Sequence, residues 1–224
     1  MTVPDTREEA AAKLPALHIL TVLGWAYLSP AQCMALRGSE RAVVLEDVLR
    51  GHLSRHRFDH KGKTYPLSPA GIAQVMREIT QTSLSEGLIP ANRAIYQHLT
   101  MGITVTEFVD GSRASITVPL INWADINANR FQVTEEVSVE RPAGMGRFRP
   151  DIVCYVNGLP LVVIEAKRPM SSTKPTAMVD EGISQHLRNQ MGDGIQDLYP
   201  RRTGHIDPRL PGPRGSDAGR LRHR

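Results

Sequence analysis

Only two cysteines occur in the 224 residues, Cys33 and Cys154, far apart in the chain. That excludes a disulfide framework and any cysteine spacing suited to zinc. No apolar run reaches the length of a membrane-spanning helix: the stretch 16–27 is too short and is interrupted by His18 and Gly24. The N-terminus carries Asp5, Glu8 and Glu9, unlike the basic start of a signal peptide. There is no internal repeat. There is also no Gly-x-x-x-x-Gly-Lys-Ser/Thr segment, so these residues hold no P-loop for ATP. An excess of positive charge is missing too, despite a formal net charge of +4. Seven arginines against two aspartates lie in residues 201–224, which leaves −1 for residues 1–200. Bulk charge therefore carries no argument for nucleic-acid binding. Together these absences point to a cytoplasmic chain.

What is present is an ordinary globular composition, 41% hydrophobic and 22% charged, in a chain long enough for one large domain. Residues 6–23 show helical spacing, with Leu14, Leu17, Ile19, Leu20 and Leu23 near one face, and Gly24 through Pro30 reads as the breaker that ends the element. Further helices are expected at 40–53, at 68–79 behind the cap Ser68-Pro69, and at 90–99 before Gly102. The period then switches to alternation. Residues 103–109 and 116–121 flank Asp110-Gly111 as a hairpin, and residues 131–139 form a third strand with Val133, Val137 and Val139 on one side. A helix at about 176–190 packs on the sheet. The order gives an α+β or mixed α/β class, divided into a helical part at about 1–100, a catalytic sheet at about 101–170 and the packing helix. Residues 201–224, rich in Arg, Pro and Gly, cannot bury enough surface to offset their ordering entropy and are expected to be a disordered tail.

The most informative stretch is Pro150-Asp151, thirteen residues, then Glu165-Ala166-Lys167. The carboxylates bracket two apolar runs, Ile152 to Val156 and Leu161 to Ile164, around Asn157-Gly158. Charges at the ends of core strands are costly unless paired or bound to metal. Metal-assisted phosphodiester cleavage needs hard oxygens, an acidified water and a nearby cation. Asp151, Glu165 and the Ala166 carbonyl would supply the oxygens to Mg2+, and Lys167, two residues beyond Glu165, lies on the same strand face. This reading makes a demand on register. A two-residue Asn157-Gly158 turn alone sets Asp151 opposite Ile164, on the wrong face. An odd-length loop or a bulge near Val156 to Pro160 is required, and a three-residue loop with Gly158 left-handed would satisfy it. The plainer reading is of solvated strand ends, with Glu165 and Lys167 as a surface ion pair. Against it stand the apolar lead-in to Glu165 and the arginines Arg147, Arg149 and Arg168, which gather as phosphate contacts would. His52, His56 and His60 recur every four residues, but two fall past the expected helix end, so they read as a solvated face.

Arg149 to Val153, then Val156-Asn157-Gly158-Leu159-Pro160 through Glu165-Ala166-Lys167-Arg168-Pro169, resembles the N-terminal nuclease domain of the restriction (R) subunit of type I restriction enzymes. Upstream, Leu99 to Val105 and Ile121-Asn122-Trp123 resemble it as well, and Gly24 to Leu28 and Leu45 to Leu49 more loosely, so that the likeness covers about residues 8–200. It implies a restriction-endonuclease-like core with a central mixed sheet flanked by helices. It also implies Mg2+-dependent cleavage of double-stranded DNA by Asp151, Glu165 and Lys167, in company with methylation and specificity subunits. Gln185 would be an accessory residue, although Asn189 stands where the family often has tyrosine. Glu9 or Glu8 on the first helix could join the site. ATP would serve a translocase that these residues lack, and the likeness fades near Tyr199-Pro200, so a truncated, frameshifted or split gene product is expected. The alternatives are a silent remnant that only binds DNA or partner subunits, and a stand-alone repair or recombination nuclease.

Overall fold

A computed structural model describes residues 12–81, 88–140 and 146–166, together with Ile183, Ser184 and Leu187 as helical positions. The expected tail, most of the helix at 176–190, and Glu8, Glu9, Lys167, Arg168 and Gln185 lie outside the described residues.

Strand β9 (Ile152–Val156) is the buried centre of the molecule, every residue of it inside. Its unbroken apolar run is what a strand covered on both faces requires. It pairs antiparallel with β6 (Phe131–Glu135) on one side and β10 (Leu159–Ile164) on the other. Strand β1 (Ala26–Leu28) joins β6 in parallel, giving the order β1-β6-β9-β10. One face, carrying Val133, Ile152 and Cys154, packs on Leu17 of helix α1 (Leu14–Val22). The other, carrying Val153 and Tyr155, packs on Cys33 of α2 (Pro30–Arg37) and Val48 of α3 (Glu46–Arg55). A further core joins α3 and α4 (Pro69–Thr80) to the hairpin β4 (Ile103–Val109) and β5 (Ser112–Val118) through Leu53, Val75, Val105 and Val118. Helix α5 (Leu88–Met101) leads into β4 through Gly102.

Several expectations hold at the level of single groups. The Ser68 hydroxyl accepts from Gly71 N–H at 3.0 Å, as a cap should. Asp110 and Gly111, both at positive φ, make the β4–β5 turn. Cys154 lies buried in β9 as a small hydrophobe.

Others are corrected. The stretch Gly24 to Pro30 does not simply end a helix: it contains β1 and opens α2. Ser29 and Gln32 form a reciprocal capping box there, and Pro30 is the first helical residue, as Pro69 is behind the Ser68 cap. The apolar residues at 14–23 do not share one buried face: Leu17 is inside and Leu20 packs half-buried on the same core, while Leu14, Ile19, Val22 and Leu23 are exposed. Helix α3 begins at Glu46 and not near residue 40. The segment before it is held by the Arg37 guanidinium, which donates to the carbonyls of Ala42, Glu40 and Ser138. A hairpin of β2 (Arg57–His60) and β3 (Lys63–Pro66), turning at Lys61-Gly62, was not expected. It separates the three histidines: His52 is in α3, His56 caps it and His60 is in β2, and all three are half-buried rather than solvated. The third expected strand stops at Glu135, because Glu136 takes a left-handed φ of 51°; β7 (Val139–Glu140) then pairs with β8 (Arg147–Phe148). The strands at 101–170 are therefore divided among three sheets.

Candidate active site

The β9–β10 hairpin sets the site. Asn157 (φ 51°) and Gly158 (φ 85°) form a two-residue turn with both residues left-handed, pairing Val156 with Leu159 and Tyr155 with Pro160. Left so, the register would put Asp151 opposite Ile164. It shifts between Pro160 and Val162, where Leu161 is the extra residue of a bulge, and from there Val162 pairs with Cys154, Val163 with Val153 and Ile164 with Ile152. The ladder ends there, and the next residue on each side is Glu165 and Asp151. The expected three-residue loop is absent and the bulge alternative is the one used, one residue past Pro160. The Asp151 carboxylate (Oδ2) accepts the Ala166 N–H at 2.7 Å, which fixes it against the end of β10.

The turn itself is anchored from within. Asn157 is fully buried; its Nδ2 donates to the Leu120 carbonyl at 3.0 Å and to Asn129 Oδ1 at 2.8 Å, while its Oδ1 accepts Arg130 N–H at 2.9 Å. Gly158 has no room for a side chain, since a Cβ there would lie 2.6 Å from the Leu45 carbonyl oxygen. Its own carbonyl accepts Leu45 N–H at 2.8 Å, docking the turn on the start of α3.

Beside Asp151 lies a network of charge that the sequence reasoning missed. The Glu136 N–H donates to the Asp151 carbonyl at 3.0 Å, and the Glu136 carboxylate takes Lys13 Nζ at 2.9 Å on one oxygen and the Arg149 guanidinium on the other. Lys13, almost fully buried, also meets Glu135 at 3.0 Å. Tyr27 donates its hydroxyl to Glu135 at 2.7 Å. Burial acts to raise the Glu135 carboxyl, but the Tyr27 hydroxyl and the Lys13 ammonium outweigh it and hold the group below its ordinary range. The same hydrogen bond, with some burial, pushes Tyr27 up to about 12. A left-handed backbone at a residue other than Gly, Asn or Asp costs on the order of 1–3 kcal/mol, so these contacts hold Glu136 against local strain. The signal in the sequence was slight, two consecutive glutamates at a strand end, and their lysine lies over a hundred residues upstream.

Asp151, Glu165 and Ala166 are thus brought together, and Lys167 and Arg168 follow directly in the chain. Arg149 sits against Glu136, near Asp151, whereas Arg147 pairs with Glu40 at 2.7 Å. Both arginine side chains are largely exposed. No three His, Cys, Asp or Glu side chains among the described residues form a ready-made metal cage. Mg2+ asks less, keeping several waters and needing only one or two carboxylates. Two hard-oxygen side chains on adjoining strand ends fit that demand.

Residues 5–200 match the model of a family described as "Type I restriction enzyme R protein N terminus". The chain is 29% identical over 160 residues to the "Type I restriction enzyme HindI endonuclease subunit" of Haemophilus influenzae, a match covering 69% of this chain and 14% of that protein. It is 35% identical over 81 residues to the "Putative type I restriction enzyme MjaIXP endonuclease subunit" of Methanocaldococcus jannaschii, covering 36% of this chain and 8% of that one. The matched regions are thus a small part of these relatives' length.

Proposed function

The chain belongs to the family of type I restriction enzyme R protein N-terminal domains, and from that premise we propose that it is the DNA-cleaving part of such an endonuclease subunit, a Mg2+-dependent hydrolase of double-stranded DNA. The observation that carries this reading is the bulged hairpin. It closes the ladder with Ile164 opposite Ile152, so that the residues next in line are Glu165 and Asp151, where an unbulged turn would have faced Asp151 with Ile164. Asp151, Glu165 and the Ala166 carbonyl would hold Mg2+, which when bound supplies an acidified water and offsets charge on the scissile phosphate. The chain's own groups do the rest. The Ala166 N–H ties the Asp151 carboxylate to the chain immediately after Glu165. Lys167, two residues past Glu165 in the sequence, would set its ammonium on the same side if the chain runs on extended, to orient the attacking water and steady negative charge on the phosphate oxygens. Arg149, near Asp151, and Arg168, one residue past Lys167 in the sequence, would serve as phosphate contacts, with Arg147 as a further one. Gln185 and Glu9 are retained as accessory groups.

Site choice would rest with methylation and specificity subunits, and ATP-driven translocation with sequence beyond these residues, which contain no P-loop. The test is nicking of supercoiled plasmid in Mg2+ by the chain assembled with those subunits. Lys167→Ala should lower the rate at least 100-fold with the unfolding midpoint unchanged, in line with the loss of a transition-state cation. Nicking at the parental rate would refute the assignment. Association with the subunits but no Mg2+-dependent nicking by the parent chain would favour the binding-only alternative.

A further inference from the structure

Glu136 occupies a position where glycine or asparagine would be conformationally easier, and it touches the Asp151 segment twice. Its N–H donates to the Asp151 carbonyl at 3.0 Å, and its carboxylate holds Arg149, two residues ahead of Asp151. The second carboxylate oxygen takes Lys13 at 2.9 Å, and Lys13 is the residue that leads into α1. Asp151 in turn is tied to Ala166, next to Glu165. These bonds make one unbroken path from the start of α1, through Glu136 and Asp151, to the end of β10. Glu135, one residue earlier, lies on the face carrying Val133 and Ile152; its side chain bonds Tyr27 and shares the lysine, and it meets Arg149 through charge alone, without the hydrogen bond that Glu136 makes.

We propose that Glu136 is a positioning residue for the candidate metal site: anchored by Lys13, it fixes the main chain at Arg149 and Asp151 and thereby aims the Asp151 carboxylate. The proposal rests on the nuclease reading of Asp151 and Glu165. Groups that orient metal ligands from outside the coordination sphere are worth about 10–100-fold in affinity. The same segment would hold Arg149 at a fixed place beside the acids, available to a phosphate on its exposed side.

The test is a Mn2+ titration of the full chain without DNA, followed by loss of the free-ion electron paramagnetic resonance signal. Glu136→Gln keeps the shape and the main-chain bond but loses the charge. Glu136→Asn enters the left-handed region readily, which secures folding, and is too short to reach both cations. Each should weaken Mn2+ binding about 10-fold or more with little change in the unfolding midpoint, while Glu135→Gln should change it less than about twofold. If both Glu136 variants bind like the parent while Asp151→Asn does not bind, the positioning role is overturned and the metal site stands. If Asp151→Asn also binds like the parent, the metal site itself is wrong and the proposal falls with it.

Discussion

Asn157 offers the sharpest test of how the site is held, because it combines a left-handed backbone with a fully buried amide that makes three hydrogen bonds. Glycine there keeps the backbone and removes the bonds. Asn129 Oδ1 would still accept Asn122 N–H at 2.8 Å, so the groups left without a partner are the Arg130 N–H and the Leu120 carbonyl. Each buried orphan costs about 1–3 kcal/mol, and water entering the vacated space offsets part of it, so Asn157→Gly should lose about 2–4 kcal/mol. Asn157→Ala should lose about 1 kcal/mol more, since its Cβ must take the left-handed region. Asn157→Asp is the same size yet sets an oxygen where Nδ2 donated, at 3.0 and 2.8 Å from two acceptors. At pH 7 it should be at least as damaging as glycine. Burial among acceptors favours the protonated acid in the folded state, raising its pKa there. Its deficit relative to the parent chain should therefore shrink as the pH is lowered from 7 toward 4. Urea unfolding followed by far-ultraviolet circular dichroism measures all three. A glycine variant within about 0.5 kcal/mol of the parent, less than one ordinary hydrogen bond, would refute the reasoning. So would an aspartate deficit that does not change with pH.

Two further outcomes follow. Deleting Leu161 removes the bulge but leaves Val162 opposite Cys154 and the acids level, so Mn2+ affinity should survive within about threefold while stability falls from the lost packing of Leu161; loss of binding with the fold intact would show that the bulge itself shapes the site. Burial, with Arg55 nearby, lowers the pKa of His52, and burial, with Arg57, lowers that of His56. For a base depressed in the folded state, stability is complete above its unfolded pKa, near 6.5, and drains away as the pH falls through the lower folded value. The melting temperature should therefore decline below about pH 6.5 and His52→Gln should flatten that slope, which differential scanning calorimetry would read; an unchanged slope would count against the burial argument.

The elements legible in the sequence were those written in neighbouring residues. Ser68-Pro69, Asp110-Gly111 and Asn157-Gly158 each announce a cap or a turn by local chemistry, and each does its expected work. Ser29-Pro30 carried the same signal but was read as an ending, because the short β1 before it has no alternation long enough to register. The boundary of α3 misled for the opposite reason. Val43 and Val44 have helical spacing with Val48 and Leu49, yet the two carbonyls of that stretch taken by Arg37, of Glu40 and Ala42, are thereby withdrawn from a helix. The histidine spacing likewise ran through a helix, a cap and a strand.

The two halves of the site differ in legibility on the same principle. That Asp151 must stand level with Glu165 is a question of parity along one hairpin, and parity can be counted from sequence: one extra residue is needed between the turn and the glutamate. The turn is closed by the hydrogen-bonded pair Val156–Leu159, so Pro160 falls at the following non-hydrogen-bonded position of an edge strand, where its missing N–H costs no ladder bond, and the bulge at Leu161 comes directly after it, outside the turn. A turn with both residues left-handed matches the twist of the strands it joins, so widening it to three residues would have exchanged good geometry for worse. The Glu136 network obeys no such count. Lys13 and Glu136 are 123 residues apart, and their meeting depends on β1 entering the sheet in parallel and carrying α1 to the acidic strand end, a topology that no local motif encodes.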